Sequence, residues 1–482
     1  MRHIHFIGIG GIGMSGIAQI LIKKGYEVSG SDLKKSNLTE NLEALGAKIY
    51  YNHNESNIDG ADTVVYSTAI SENNIEVQSA QKAGIHILKR AEMLGFLMNG
   101  KNGTAVAGTH GKTTTSSMIS FVFKYLGLNP TVIIGGELSA ITSNASSGTD
   151  PYMIAEADES DASFLYLAPK IAVITSIDSD VNLNVRPWRE YRDNTPLLME
   201  KIREIFINFT DKVVESGTVV LCEDNAEVRK IQPSIKRKII TYGINHEADL
   251  TAKNIKLYDF KSSCDVYIKN EKIGIMNLNV PGKHNVQNAL ACIAVCMGYG
   301  FDTKQVITAL EKFGGLKRRF EVIGRPMGTM IVDDYAHNPS KIMSALHATK
   351  TGNAKRVIAV YQPHRYSRTK YEKEELSESF FEADKLIIND IYSAGEKPLE
   401  NISSEMLAEL TAKKTPNLDV TFIGNPKEAF DSLIDEVKEG DLIIALGAGD
   451  ITNYVHDFCD RLKNIEQENK KESIKEDYLQ KT

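Results

Sequence analysis

The chain has 482 residues, which exceeds the size of one hydrophobic core and predicts about three domains. Hydrophobic residues make up 42% and charged residues 25%, a balance typical of a globular protein that buries its cores unaided. With 56 basic against 63 acidic residues the net charge is −7, which argues against a nucleic acid or an anionic membrane as partner. Any anionic ligand must therefore be held by a local site.

The five cysteines are odd in number and form no C-x-x-C pair, which argues against a disulfide framework or a zinc site. We interpret them as buried thiols of a reducing compartment. The sequence passes from Met1 directly into a strand-like run, and no apolar run is long enough to cross a bilayer. We therefore expect a cytoplasmic protein.

The first motif is a glycine fingerprint that follows a predicted strand at residues 4–9. Gly8, Gly10 and Gly13 give the G-x-G-x-x-G pattern, and a second predicted strand delivers Asp32. In a βαβ unit this pattern places a pyrophosphate at the helix N-terminus and the acidic side chain at a ribose. Because any ligand with a pyrophosphate and a ribose suits this geometry, the motif alone does not separate NAD from a nucleotide sugar.

A second glycine motif follows a polar linker near residue 100 and lies between a predicted strand and a predicted helix. Gly108 and Gly111 bracket a turn that lets backbone N–H groups face phosphate oxygens. Lys112 is predicted to bridge the outer phosphates, and Thr113 to hold Mg²⁺ through its hydroxyl. The alternative is a glycine-rich turn followed by a solvated lysine.

Four carboxylates follow the next predicted strand, between Glu156 and Asp161. Such a run is usually a solvated loop. At the carboxyl end of a strand in a phosphate-loop domain, however, the first carboxylate is well placed for Mg²⁺, so Glu156 is the predicted ligand. A further strand ends just before Asp178 and Asp180.

Later motifs extend this pattern. His284 and Asn288 lie four residues apart on one face of a predicted helix, where the alternatives are adenine recognition by the pair and simple capping by Asn285. Polar or glycine motifs then follow successive predicted strands, at the edge where parallel α/β sheets bind ligands. These motifs are DDYAHNP (333–339), QPHR (362–365) and GAGD (447–450).

Together these motifs resemble those of the ATP-dependent Mur ligases, and within them the branch that joins L-alanine to UDP-N-acetylmuramate. GTHGKTT and DDYAH are typical of the whole superfamily, whereas the first glycine fingerprint with EADESD and QPHR is typical of that branch. The resemblance implies that the first domain holds UDP and not NAD. Its segments, from residue 8 to residue 451, are GIGGIGMS, GTHGKTT, EADESDASF, PGKHNVQN, RRF, DDYAHNP, QPHRYSRT and GAGDI.

The resemblance implies an α/β protein with an N-terminal Rossmann-like domain, a central P-loop ATPase-like domain and a C-terminal Rossmann-like α/β domain. The predicted boundaries are 1–100 for the UDP-sugar-binding domain, 101–320 for the ATP-binding domain and 321–462 for a closing domain that binds the amino acid. Residues 463–482 are predicted to be a charged, disordered tail.

The implied activity is that of an ATP-dependent carboxylate–amine ligase in peptidoglycan precursor synthesis, and so in cell wall biogenesis, cell shape and cell division. ATP, with Mg²⁺ or alternatively Mn²⁺, would phosphorylate the lactyl carboxylate of UDP-N-acetylmuramate, and the amine of L-alanine would attack the acyl phosphate. A carboxylate is a poor electrophile, so the reaction needs this activation, and the enzyme mainly positions and neutralises. The partners implied are these three substrates, with a monomer or homodimer as the assembly.

The resemblance also assigns site residues. Those implied as catalytic are Lys112, Glu156, Arg319 and His337. Those implied for ATP are Gly108, Thr109, His110, Gly111, Lys112, Thr113, Thr114, His284, Asn288, Arg319 and Asp334. Those implied for the UDP-sugar are Gly10, Gly11, Ile12, Gly13, Met14, Ser15, Asp32, Ser67 and Thr68. The metal is assigned to Thr113, Glu156 and Asp180, and the amino-acid side to His337, His364 and Arg365.

One segment departs from the family pattern. The family carries a histidine after the second central strand that helps to bind a second metal ion, and this chain has Val181 there. Asp178 or Asp180 is predicted to supply an oxygen ligand instead, in an active enzyme with an unusual demand for metal. Segment 186–200 is longer than its family counterpart by roughly nine residues. The alternatives are a recycling ligase that adds a preformed peptide and a nucleotide-binding homologue with impaired turnover.

Overall fold

The computed structural model describes residues 1–67, 69–134, 145–179, 188–191 and 194–481. Its strands form three sheets of five, ten and six strands within these residues. The chain divides into two compact units. The first comprises residues 1–256, 263–278 and 283–313, and the second comprises residues 257–262, 279–282 and 314–482.

The first sheet alternates with helices along the chain, as the glycine fingerprint predicts. Its elements are β1 (His3–Ile7), α1 (Ile12–Lys23), β2 (Glu27–Ser31), α2 (Asn37–Ala44), β3 (Lys48–Tyr50), β4 (Thr63–Tyr66), α3 (Ile75–Lys82), β5 (His86–Lys89) and α4 (Arg90–Met98). The strand order is β3-β2-β1-β4-β5, and all pairs are parallel. The order reverses at β1, so the glycine loop after β1 lies at the switch point where such sheets bind ligands.

The second sheet surrounds the phosphate-loop strand. Its elements are β6 (Asn102–Ala107), α5 (Lys112–Tyr125), β7 (Thr131–Ile133), β8 (Ala145–Ser146), β9 (Tyr152–Glu156), β10 (Ile171–Ile174), α6 (Thr195–Asp211), β11 (Thr218–Cys222), α7 (Ala226–Ile231), β12 (Lys238–Gly243), β13 (Leu250–Tyr258), β14 (Lys261–Ile268), β15 (Glu271–Leu278), α8 (Lys283–Tyr299) and α9 (Thr303–Leu310). The order is β15-β14-β13-β12-β11-β10-β6-β9-β7-β8. Because β6 lies between β10 and β9 and runs parallel to both, the loops after these three strands share one edge.

The third sheet carries the late polar motifs. Its elements are β16 (Glu321–Gly324), β17 (Met330–Asp334), α10 (Pro339–Thr349), β18 (Arg356–Tyr361), α11 (Tyr366–Ser377), β19 (Lys385–Ile388), α12 (Ser404–Lys414), β20 (Asp419–Phe422), α13 (Pro426–Leu433), β21 (Asp441–Leu446) and α14 (Ile451–Lys481). The order is β16-β17-β21-β18-β19-β20, with β16 antiparallel to β17 and the other pairs parallel. The segments after β17, β18 and β21 therefore meet at one edge.

The hydrophobic core of the first unit is continuous between its two sheets. One cluster of buried side chains includes Ile4 of β1, Leu94 of α4 and Ala105 of β6. The same cluster includes Phe164 and Trp188, each 1% exposed. The first and second sheets are thus joined by packing as well as by the chain.

The α/β architecture with three parallel-rich sheets confirms the predicted fold class, while the exact domain boundaries stay a prediction. α14 continues as a helix to Lys481, and the predicted disorder of residues 463–482 stays a prediction. An i,i+4 ion pair between Lys470 and Glu466, at 2.9 Å, favours this helical extension. Among the described helices, none combines the length and apolarity needed to cross a membrane.

Candidate active site

The first glycine loop folds over the end of β2. The amides of Gly8 and Ile9 donate to the Ser31 carbonyl at 2.8 and 3.0 Å, and the Gly10 amide donates to Oδ2 of Asp32 at 2.9 Å. A Cβ built on Gly10 would lie 2.8 Å from the same carboxylate oxygen, so a side chain would displace Asp32. Asp32 therefore helps to fix the conformation of the glycine loop. The contact of Asp32 with a ribose stays a prediction.

The first turn of α1 separates the predicted sugar-nucleotide residues by exposure. Gly11 caps the helix and Ile12 is 53% exposed. Met14 and Ser15 are buried, and the Ser15 hydroxyl donates to the Ile12 carbonyl at 3.0 Å. Because the side chains of Met14 and Ser15 are buried, the backbone amides of this turn are the groups better suited to an anion.

The predicted residues after β4 are only partly described. The Oγ of Ser67 lies 3.8 Å from a Cβ built on Gly8, so Ser67 borders the glycine loop. Thr68 lies outside the described residues.

Arg90 borders the same loop, and no sequence motif singled it out. It is the first residue of α4, and its Nη1 lies 3.4 Å from a Cβ built on Gly13. Its Nη2 also lies 3.8 Å from Oδ2 of Asp158 in the acidic loop after β9. The first-domain loop and the acidic loop are therefore neighbours within the first unit.

The phosphate loop is packed so closely that a side chain at two of its positions would require neighbouring atoms to shift. Gly108 and Gly111 have φ angles of +127° and +84°, values that L-residues rarely adopt. A Cβ on Gly108 would collide with Oγ1 of Thr175, and one on Gly111 would lie 2.6 Å from Oδ1 of Asn288. The loop is therefore packed closely against the segment after β10 and against α8 at these two positions.

Residues after β10 fix the tip of this loop. The Thr109 amide donates to the Ser176 carbonyl at 3.1 Å, and the His110 amide donates to the Ser176 hydroxyl at 2.9 Å. The Thr175 hydroxyl lies 2.5 Å from the His110 carbonyl oxygen, to which it donates. The amides of Thr109 and His110 are thus hydrogen-bonded to Ser176. The backbone amides of the first turn of α5, from Lys112 to Thr114, have no acceptor within their own helix.

Lys112 folds back over the loop onto two oxygens. Its Nζ donates to the Gly108 carbonyl at 2.7 Å and to Oε1 of Glu159 at 2.6 Å. Burial raises the pKa of the Glu159 carboxyl, and the adjacent Lys112 ammonium opposes that rise. The sequence marked the acidic run but assigned the metal to Glu156 and gave Glu159 no role.

The predicted metal ligands are described in part. Glu156 ends β9 and pairs in register with Val106 of β6, one strand away from the phosphate loop. Asp178 is exposed, and its carboxylate accepts a hydrogen bond from the Ser179 amide at 2.6 Å. Asp180 and Val181 lie outside the described residues, so the replacement of the family histidine stays a prediction.

The predicted adenine pair occupies two different environments. Asn288 is 7% exposed, and its Oδ1 accepts from the Thr115 hydroxyl of α5 at 3.2 Å while its Nδ2 donates to Asn285 at 3.3 Å. His284 is exposed in the first turn of α8. Asn288 therefore supports the phosphate loop, and adenine recognition by the pair stays a prediction.

In the second unit, Asp334 organises the segment that was predicted to reach the nucleotide. Its two carboxylate oxygens accept from the amides of Phe320 and Ala336, both at 2.7 Å. Burial raises the pKa of Asp334, against the effect of the nearby Arg319 guanidinium. Arg319 in turn lies over the Tyr335 ring, 5.3 Å from its centroid.

Two histidines meet where β17 and β18 end. His337 is buried, its Nδ1 lies 2.8 Å from the Tyr335 carbonyl, and its ring centroid is 5.7 Å from that of His364. Burial and the positive charges of Arg368 and Lys341 hold the pKa of His337 well below its usual range.

His364 is also neutral near pH 7. Burial, Arg368 and Arg365 lower the pKa of His364 to about 4. Nη1 of Arg368 lies 3.3 Å from its Nδ1, and the Tyr392 ring stacks on it at a centroid distance of 5.7 Å. Arg365 is exposed at the start of α11 and its charge acts on His364, so the structure groups all three predicted amino-acid-side residues. Arg368 and Tyr392 belong to this cluster although the sequence assigned them no role.

Among the described residues, Glu321, Asp333 and His456 form a group with metal-ligand chemistry. Oδ2 of Asp333 accepts from the Thr452 hydroxyl at 2.6 Å and lies 4.0 Å from Nε of Arg318. The guanidinium already supplies the positive charge that this buried carboxylate needs, so we interpret the group as an ion-pair network.

Comparisons with known proteins agree along the chain. Family descriptions match at residues 3–102 ("Mur ligase family, catalytic domain"), 194–296 ("Mur ligase middle domain") and 318–449 ("Mur ligase, glutamate ligase domain"). A curated "UDP-N-acetylmuramate--L-alanine ligase" of Geotalea daltonii is 44% identical over 96% of this chain and 98% of its own. One of the same name from Trichlorobacter lovleyi is 44% identical over 94% and 97%.

A comparison with solved structures finds the same fold in a related enzyme. The crystal structure of the UDP-N-acetylmuramate-alanine ligase MurC from Thermotoga maritima is similar with a TM-score of 0.80 and 27% identity. The similarity covers 96% of this chain and 100% of that chain.

Proposed function

The chain belongs to the Mur ligase family, and on that premise we propose that it joins L-alanine to the lactyl carboxylate of UDP-N-acetylmuramate at the expense of ATP. The observation that carries the proposal is the phosphate loop, in which Gly108 and Gly111 adopt positive φ angles before the N-terminus of α5 and Lys112 lies over the loop. Helix N-termini of this kind are anion sites. The 44% identity, over nearly the full length, to proteins named UDP-N-acetylmuramate--L-alanine ligase supports this substrate assignment.

The first step needs charge neutralisation. A lactyl carboxylate oxygen attacks the γ-phosphorus of ATP, the bond to the β-phosphate oxygen breaks, and ADP leaves with the electron pair. Two anions approach each other in this step, so the Lys112 ammonium and the first-turn amides of α5 lower its barrier. Holding both reactants in line is proposed as a further contribution to the rate.

The metal proposal fits the donor chemistry of the chain. Thr113 and Glu156 offer a hydroxyl and a carboxylate, the hard oxygen donors that Mg²⁺ prefers. Glu156 belongs to the strand beside β6, which supports its assignment. A bound Mg²⁺ would supply further positive charge to the phosphates. Asp180 is proposed as an additional ligand in place of the histidine that Val181 replaces.

The amino-acid side uses neutral imidazole and guanidinium groups. The amine of L-alanine attacks the acyl carbon, phosphate leaves, and the nitrogen loses a proton. His337 is neutral because its pKa is strongly lowered, and with Nδ1 donating to the Tyr335 carbonyl its Nε2 keeps a lone pair. After attack the nitrogen is strongly acidic, so a weak base is sufficient to accept its proton. Arg365 and Arg368 are proposed to hold the alanine carboxylate.

The test is an assay of phosphate release and product mass with UDP-N-acetylmuramate, ATP and Mg²⁺. We expect L-alanine to give a stoichiometric amide product, and omission of either the sugar nucleotide or the amino acid to stop phosphate release. The same mixture with a competing tripeptide separates this activity from peptide recycling. Preferential coupling of the tripeptide would refute the proposed specificity.

A second assay tests the metal proposal by measuring phosphate release against Mg²⁺ and Mn²⁺ concentration at saturating substrates. We expect a high metal requirement that Asp180→Asn increases more than Asp178→Asn does. Activity at ordinary metal concentrations that ignores both substitutions would remove the replacement ligand. Absent phosphate release at every metal concentration, with both substrates bound, would favour an impaired homologue.

A further inference from the structure

Glu159 is a buried carboxylate whose cationic partner, within the part of the chain that the structure describes, is the lysine of the phosphate loop. It is 4% exposed, and its Oε1 lies 2.6 Å from Nζ of Lys112. Its Oε2 is buried and has no hydrogen-bond partner within the described part of the chain. A buried carboxylate in this state depends strongly on its single ion pair.

The backbone around Glu159 is fixed at several points. The Ala157 amide donates to the Val106 carbonyl at 2.9 Å, and the Phe164 amide donates to the Asp158 carbonyl at 3.1 Å. On the far side, Nε1 of Trp188 donates to the Ser160 carbonyl at 2.6 Å. Trp188 is the only tryptophan of the sequence and is 1% exposed. These hydrogen bonds position the acidic loop beside Lys112.

Phosphate and Glu159 compete for the same ammonium. The outer phosphates of a nucleotide in such a loop are bound by its lysine, and Lys112 is engaged by a carboxylate and by the Gly108 carbonyl. Two anions cannot both keep full contact with one cation without repelling each other. When Lys112 turns to a phosphate, Glu159 loses its counterion inside a buried pocket, and the acidic loop must move to hydrate it.

We propose that Glu159 is a positioning residue that holds Lys112 in the absence of nucleotide, yields it to the outer phosphates, and takes it back when products leave. This inference rests on the proposed ATP-binding function of the loop and deepens it. Glu159 thereby weakens nucleotide binding and speeds product release. A carboxylate with a purely structural role would instead favour binding, because its loss would disorder the loop.

The experiment measures ADP affinity of the full-length protein by calorimetry. Glu159→Gln keeps the shape and removes the charge, and we expect it to bind ADP about tenfold more tightly than the unaltered protein. AMP lacks the outer phosphates, so its affinity should change by less than about twofold. Lys112→Ala combined with Glu159→Gln should show no gain over Lys112→Ala alone, because the contested cation is absent.

Asp161→Asn is the matched control, since it removes one carboxylate charge from the same loop. Oδ1 of Asp161 accepts from the Ser163 amide at 2.9 Å, a bond that asparagine can keep. We expect ADP affinity within about twofold of the unaltered protein. An Asp161→Asn gain equal to that of Glu159→Gln would show a general charge effect and overturn the specific role of Glu159.

Trp188 supplies a second readout. ADP should change its fluorescence in the unaltered protein, because the acidic loop that it holds moves, and Glu159→Gln should reduce that change. Unchanged or weaker ADP binding by Glu159→Gln would overturn the proposal even if ligase activity is present. If Glu159→Gln fails to fold, Glu159→Asp, which withdraws the carboxylate from Lys112, must bind ADP more tightly. Failure of the unaltered protein to bind ADP would overturn the ATP assignment itself.

Discussion

The two glycines at the ends of α5 allow the packing of the phosphate loop to be measured separately from its backbone conformation. Gly111 precedes the helix with φ of +84°, and Gly127 follows it with φ of +82°. A Cβ on Gly127 would meet no atom within 4 Å, whereas one on Gly111 would lie 2.6 Å from Oδ1 of Asn288. The same substitution at the two positions therefore differs mainly by one contact.

Gly127→Ala should cost about 1–2 kcal/mol of unfolding free energy, the usual penalty of an L-residue in the left-handed region. Gly111→Ala should lose that amount and about 1–3 kcal/mol more, because alanine overpacks the site. Asn288 cannot swing away freely, since its amide binds Thr115 and Asn285. Gly111→Ala combined with Asn288→Ala should therefore recover part of the additional loss.

Chemical denaturation followed by Trp188 fluorescence is the assay, because Trp188 lies in the core of the same unit. Far-ultraviolet circular dichroism checks that the transition reports on unfolding of the unit. Equal losses for Gly111→Ala and Gly127→Ala would refute the close approach of Asn288. A larger loss of unfolding free energy for the double variant than for Gly111→Ala alone would refute the prediction that removing the Asn288 side chain relieves the clash.

Three further outcomes follow from the described contacts. Lys112→Ala should abolish ATP-dependent product formation and spare UDP-sugar binding, while Lys124→Ala at the other end of α5 should keep activity; retained activity of the first variant would contradict the assignment of the loop. Burial acts to raise the pKa of Glu76, but the nearby His5 and hydrogen bonds from Ser31 and Asn57 outweigh it and lower that pKa to about 2. This stabilisation is present above the ordinary pKa and is lost as the pH falls toward 2, so the stability deficit of Glu76→Gln should shrink over that interval in acid titrations followed by circular dichroism. Calorimetry should detect UDP-N-acetylmuramate binding and no NAD binding; tight NAD binding would restore the redox interpretation.

Local sequence patterns predicted those features of the fold that depend on residues close together in the chain. The glycine fingerprints, the strands before them and the α/β class follow from sequence spacing, because a tight turn between a strand and a helix needs glycine at fixed positions. The cluster of His337 and His364 was predicted from motifs at successive strand ends. Parallel strands bring such ends to one edge, which is why this grouping could be foreseen.

Long-range pairings could not be predicted in this way. The contact of Glu159 with Lys112 joins two loops, and nothing in the acidic run distinguishes Glu159 from Glu156 before the strands are placed. Asn288 was predicted to contact adenine, and the packing of its helix against α5 also places its side-chain oxygen as the acceptor of the Thr115 hydroxyl. Asp32 was expected at a ribose, and its carboxylate is taken by the loop it follows. In each case the structure adds a tertiary contact that the sequence did not indicate, and the predicted adenine and ribose contacts stay predictions.

The continuous core of the first unit has a consequence for how the protein can be divided in the laboratory. Leu94 and Leu97 of α4 are buried in a cluster that also contains Phe164. On the same helix, a Cβ built on Gly95 would lie 2.5 Å from the Tyr166 carbonyl oxygen, so the backbones meet there directly. A fragment that ends near residue 100 would expose these leucines to water and should aggregate when expressed alone. A fragment carrying residues 1–313 keeps the α4 face covered, and it is the shorter piece in which we expect the UDP-sugar loop to be recovered in folded form.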